Sequence, residues 1–125
     1  MYRCLIVADD LTGANASGVL LKNFGLSPLT LTGDLPPPAA VLAGRDALIV
    51  PTDSRGVAPA VAYRRVKEAT AALAAPEVRL YTKRIDSTLR GNIGPEIDAM
   101  LDALTAADGS DRMAVVVPAY PQAGR

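Results

Sequence analysis

Short apolar runs alternate along this chain with stretches whose apolar residues recur every three or four positions, and that alternation predicts a parallel sheet covered by helices. The strand candidates are Cys4 to Ala8, Leu29 to Thr32, Ala47 to Val50, Arg79 to Thr82 and Met113 to Val117. Leu5-Ile6-Val7 and Val115-Val116-Val117 show no polar alternation, as expected of strands buried on both faces. Ala16, Val19, Leu20 and Phe24 recur at helical spacing before Gly25, which predicts a helix with that side turned inward. Pro59 opens a second helix that buries Ala62, Val66, Ala69 and Leu73. Gly94-Pro95-Glu96 caps and opens a third, whose stripe is Ile97, Met100, Leu101 and Leu104. Residues 33–44, with Pro36-Pro37-Pro38 among them, read as an irregular surface connection. The expected fold is therefore α/β: a parallel or mixed sheet of about five strands with helices on both faces, in three α/β/α layers.

Composition narrows the function classes. With 125 residues, 50% of them apolar, the chain can bury one core, and a single domain is expected. Thirteen lysines and arginines balance 13 aspartates and glutamates, so no summed field draws in nucleic acid or an anionic membrane. The apolar start of the chain stops at Asp9-Asp10, too soon for a signal-peptide core, and no run approaches the roughly 20 residues of a membrane span. The single cysteine, Cys4, lies in an apolar run, reads as a small core residue, and fits a reducing cytoplasm. There is no histidine, which removes Ser-His-Asp and Cys-His catalysis and histidine-ligated zinc. Neither a Walker A sequence nor G-x-G-x-x-G occurs, so no cofactor or metal site is expected within these residues.

Candidate chemistry lies just after the strands, where open parallel sheets bind ligands. The first strand runs into Asp9-Asp10-Leu11-Thr12-Gly13, the third into Thr52-Asp53-Ser54-Arg55-Gly56, and the fourth into the segment from Lys83 to Asn92. Such a rim suits a ligand bearing both a carboxylate and hydroxyls. Arg55 and Arg90 can fork onto the carboxylate, Lys83 adds a point charge, and Asp10 and Asp86 can accept from hydroxyls. An aspartate bonded to a terminal hydroxyl can also serve as the base for phosphoryl transfer. Asp86 is the preferred base, for its company of Lys83, Ser87 and Arg90, and Asp10 is the alternative. Tyr81 and Tyr120 read as packing or rim residues.

Three segments together, Ala8-Asp9-Asp10-Leu11-Thr12-Gly13-Ala14, Lys83 followed by Ile85-Asp86-Ser87-Thr88-Leu89-Arg90-Gly91-Asn92, and Pro118-Ala119-Tyr120-Pro121-Gln122-Ala123-Gly124-Arg125, resemble the four-carbon acid sugar kinases over essentially the whole chain. The resemblance implies an α/β domain that binds the sugar acid and a separate C-terminal domain that binds ATP and magnesium, with phosphate delivered to the terminal hydroxyl of a substrate such as threonate or erythronate. It implies substrate contacts from Asp10, Arg55, Lys83, Arg84, Ile85, Asp86 and Ser87, to which charge adds Arg90. Residues 1–125 match only the first part of such a kinase. The expectation is a chain inactive by itself, which pairs with a nucleotide-binding domain or self-associates through an open sheet edge.

Two other readings compete. Asp9-Asp10 and Asp53 mimic the magnesium-holding pocket of a phospho-acceptor signalling domain, although no lysine follows the last candidate strand, where Val117 leads into Pro118. A non-catalytic module that only binds sugar acids is the other.

Overall fold

The computed structural model describes residues 1–125. Four parallel strands, β1 (Cys4–Ala8), β2 (Pro28–Thr30), β3 (Ala47–Pro51) and β4 (Leu80–Arg84), lie in the order β2-β3-β1-β4. In register, Cys4 to Ala8 of β1 face Ala47 to Pro51 on one side and Leu80 to Arg84 on the other. Four helices complete the chain: α1 (Leu11–Asn23), the single turn α2 (Ala39–Leu42), α3 (Pro59–Leu73) and α4 (Ile93–Asp108). A short 3₁₀ turn follows at Pro121–Ala123. No helix is long and apolar enough to cross a membrane.

Strand geometry sorts the central residues into two cores. Leu5, Val7, Leu48 and Val50 point to one face and pack with Val66, Ala69 and Leu73 of α3 and with Ala99, Met100 and Leu104 of α4. Ile6, Ala8 and Ile49 point to the other and pack with Ala14 and Leu21 of α1. The three-layer α/β/α arrangement follows from this alternation. The Tyr2 hydroxyl closes the first core from below, donating to the Leu73 carbonyl at 2.6 Å.

Several expectations need correction. Met113 to Val117 joins no ladder, so the sheet has four strands; Met113 is 88% and Val115 83% exposed. Apolar, β-branched composition favours burial, but a ladder also needs the backbone in register. The chain leaves α4 at Gly109, in the left-handed conformation, and beyond it Arg112 pairs with Asp108 (2.6 Å) and sits over the Tyr81 ring. The segment instead walls an apolar groove of about 490 Å³ with β4, Ile97 and Leu101. In α1 the expected face is also wrong. Val19, Leu20 and Phe24 are exposed, while Gly13, Ala14, Gly18 and Leu21 face the sheet. Small residues let this helix approach closely: a β-carbon on Gly18 would sit 3.2 Å from Ile49 Cδ1. Residues 33–44 are not wholly irregular, since α2 lies within them. The α3 face is as expected, with Thr70 also buried. In α4 the buried face is Glu96, Ala99, Met100, Ala103 and Leu104, and the cap position falls at Asn92 rather than Gly94.

The connections place a crevice at one point. The chain leaves β1 toward α1 on one face, and leaves the adjacent β3 toward α3 on the other. The carboxyl ends of β1 and β3 therefore flank a topological switch point, where open α/β sheets bind ligands.

Candidate functional site at the strand ends

Asp9 and Asp10, the last residues before α1, do different work. Asp10 is the N-cap: one carboxylate oxygen accepts the Gly13 amide at 2.8 Å. Asp9 is 3% exposed and accepts the fork of Arg55, Nε at 2.8 Å and Nη2 at 3.1 Å. Arg55 Nη1 also lies 3.5 Å from Asp10 Oδ2. The loops after β1 and β3 are thus clamped across the switch point by one guanidinium between two carboxylates. The bond to Asp9 holds the Arg55 charge firmly, raising its already high pKa.

A second pair closes the loop after β4. Arg90 Nε and Nη2 reach Asp86 at 2.8 and 3.1 Å, the Arg90 amide adds a bond at 3.2 Å, and the Thr88 hydroxyl also donates to it. These bonds to Arg90 and Thr88 hold the Asp86 carboxyl well below the usual aspartate range. Its folded value lies below the ordinary 3.8, so the pairing stabilises the fold above that pH and is lost as acid protonates it. The gap in melting temperature between the protein and its D86N variant is expected to be widest near neutrality and to narrow below about pH 4. A gap that stays constant down to strong acid contradicts this.

Backbone conformation supports both loops. Asp53 and Leu89 adopt left-handed φ of 48° and 62°, a conformation that aspartate tolerates and leucine adopts only with strain, and both lie in loops that follow strands. Gly91, at φ 95°, permits a close approach: a β-carbon there would lie 3.1 Å from Asp9 Oδ2 and 3.2 Å from Arg55 Cγ. The Asn92 side chain donates to the carbonyls of Ser54 (3.0 Å) and Val57 (2.8 Å), tying the start of α4 to the loop after β3.

Lys83 turns inward. On β4 it pairs in register with Val7, and it lies on the α3/α4 face, 7% exposed, with Nζ 3.2 Å from Glu96 Oε1. Burial pulls its ammonium below the usual lysine value, against the opposing pull of Glu96 and Asp9. Glu96, 1% exposed, also accepts the Ser54 hydroxyl at 2.8 Å, and Ser54 meets Thr52 at 2.6 Å.

The predicted site residues therefore come together, but in other roles. Arg55 and Arg90, expected to fork onto a ligand carboxylate, already fork onto Asp9 and Asp86. Lys83, expected as a further point charge for the ligand, is paired with Glu96. Arg84 is the guanidinium among Arg55, Arg84 and Arg90 without a carboxylate within 4.0 Å; it donates to the Ile85 carbonyl at 2.6 Å. It lies over the first turn of α1, where a β-carbon on Gly13 would stand 3.2 Å from Arg84 Nε and 2.7 Å from Asp10 Oδ1. Ile85 lines the apolar groove, and Ser87 accepts a bond from Arg125 at 3.0 Å. Neither Asp9 nor Glu96 was expected as a buried counter-ion. Both are carboxylates placed where they become buried, and their signal was the clustering of arginine and lysine opposite them.

No group of three potential ligands comes together to hold a metal ion. Asp9 is committed to Arg55, so the three-aspartate pocket required by the phospho-acceptor reading does not form.

Residues 4–125 match the model of the sugar-binding N-terminal domain. The chain belongs to that family. Relatives agree with it: the chain is 54% identical over its full length to a D-erythronate kinase of Heliobacterium modesticaldum, and 40% identical over 96% of its length to a D-threonate kinase of Bordetella bronchiseptica. It spans 28% and 29% of those two proteins, less than a third of each. A crystal structure of a domain of unknown function from Bordetella bronchiseptica, a domain-swapped dimer with bound citrate, superposes with a TM-score of 0.71 at 36% identity, covering 80% of this chain and 25% of that one.

Proposed function

We propose that this chain is the substrate-reading part of an ATP-dependent kinase that phosphorylates the terminal hydroxyl of a four-carbon sugar acid, working in the ATP-containing cytoplasm. The observation that carries the reading is the uncommitted Arg84 guanidinium over the first turn of α1, beside Asp10. A cation and a helix N-terminus together suit a carboxylate, and Asp10 beside them suits a hydroxyl. The D-erythronate and D-threonate kinases among its relatives act on such acids by name, and the citrate held by the Bordetella domain is likewise a small polyanion. ATP and magnesium, in this reading, are held by residues outside these 125. The domain-swapped dimer of that relative favours self-association here, through the open edge of β4.

The base role moves from Asp86 to Asp10. Both Asp86 oxygens are taken by Arg90, and a carboxylate held so far toward its ionised form is a weak proton acceptor. Asp10 Oδ2 has only the 3.5 Å approach of Arg55 and can take a hydroxyl proton. Arg55 and Arg90 act by fixing Asp9 and Asp86, and through them the shape of the rim. Titration calorimetry with D-erythronate, D-threonate and the neutral tetritol erythritol tests the reading. Heat from a sugar acid and none from erythritol is expected; equal binding of erythritol, or none of the three, overturns it.

A further inference from the structure

We infer that Glu96, from α4, is a positioning residue for the anion site: through Lys83 it fixes the peptide that carries Arg84. The inference takes its ligand from the sugar-acid reading above. Its geometry stands apart from it.

Three contacts carry the chain of influence. Glu96 Oε1 lies 3.2 Å from Lys83 Nζ, and Lys83 Nζ donates to the Arg84 carbonyl at 2.9 Å. Arg84 then leaves the sheet on the opposite face, toward α1, because successive side chains of a strand alternate. A buried ammonium with three protons has few ways to satisfy them, so its bond to the Arg84 carbonyl is set by where Glu96 holds it. Glu96 is itself held: the Ser54 hydroxyl donates to the same oxygen, Thr52 meets Ser54, and the Thr52 hydroxyl reaches the Ala8 carbonyl at 3.0 Å. The ends of β1, β3 and β4 and the first turns of α4 therefore converge on one carboxylate. The groups facing Lys83 are Glu96 from α4, Asp9 after β1 and Arg55 after β3. Arg55 and Asp9 neutralise each other, which leaves Glu96 as the counter-charge.

A buried carboxylate that served stability alone would be a poor choice, since replacing such a pair by apolar residues is often neutral or better. Its use here is geometric. It sets the peptide plane between β4 and the loop that follows, and so the direction of the Arg84 guanidinium over Gly13.

The test uses the 125-residue chain, its E96Q variant, and the K83M/E96L pair, which removes both charges together and spares the fold an unpaired buried ion. Two readouts are followed. In the first, the Arg84 Nε–H resonance, assigned by its loss in R84Q, is expected to lose its ¹⁵N–¹H heteronuclear NOE in both variants. An unchanged resonance overturns the inference, whatever the ligand proves to be. The second is D-erythronate affinity. E96Q is expected to bind about tenfold more weakly, and the same change made in an R84Q background is expected to cost nothing further. Equal tenfold losses in both backgrounds would make Glu96 a merely structural residue and overturn the inference. If the unaltered chain binds no sugar acid, the sugar-acid reading fails, and the Arg84 resonance alone decides the role of Glu96.

Discussion

Replacing Arg55 with methionine is expected to destabilise the fold by about 3 kcal/mol. The methionine leaves Asp9, a carboxylate 3% exposed, without the fork that neutralises it. Desolvating an unpaired carboxylate costs more than the pair gains, which is why breaking one partner is worse than replacing both. A D9L/R55M double variant is accordingly expected to recover most of the loss. Urea unfolding of the three proteins decides it. An R55M variant as stable as the parent would mean that water reaches Asp9 freely and that the clamp between β1 and β3 is dispensable.

Arg84→Gln is expected to weaken sugar-acid binding by about 2 kcal/mol, or roughly thirtyfold, and to leave stability nearly unchanged. Arg84 pairs with no carboxylate in the free protein, so its removal strands no buried charge. Arg90→Gln is expected to do the reverse. Arg90 anchors Asp86 and the loop after β4, so its loss should lower the melting temperature and reduce affinity only by loosening that loop. Calorimetry and thermal melts on the two variants separate the roles. Should R90Q lose binding while R84Q keeps it, the carboxylate is read by the opened Asp86–Arg90 pair, as the sequence alone suggested.

The strand ends were legible in the sequence because β1 and β3 must be buried on both faces, and a run such as Leu5-Ile6-Val7 has no other comfortable place. The face of α3 was legible for the same reason: Ala62, Val66, Ala69 and Leu73 repeat at the helical period and are its buried residues. The face of α1 was not. Hydrophobicity pointed to Val19, Leu20 and Phe24, whereas close packing on the sheet demanded the small side, Gly13, Ala14 and Gly18. At Met113 to Val117, composition could report a preference for burial but not whether a ladder partner was in register.

The site was legible as a place and not as a set of bonds. Polar residues following buried strands located the rim, and the positions of Asp10, Arg55, Lys83, Asp86 and Arg90 along the chain put them all near it. Which acid takes which base is decided in three dimensions. Asp9 and Asp10 are neighbours in sequence, yet one is a buried counter-ion and the other a helix cap with an oxygen to spare. Arg84 and Lys83 are neighbours too, and strand alternation sends them to opposite faces, one toward α1 and the other toward Glu96. The parity is set by register, which places Lys83 beside the core residue Val7.

The most direct test is to titrate D-erythronate into ¹⁵N-labelled protein and follow the Gly13 amide and the Arg84 Nε–H signal. Saturable shifts in both, with the Leu101 and Val115 amides of the apolar groove unmoved, are the predicted result. Shifts confined to that groove, or none at Gly13 and Arg84 as the sugar acid is raised, would contradict a carboxylate-reading site where the ends of β1 and β4 meet the first turn of α1.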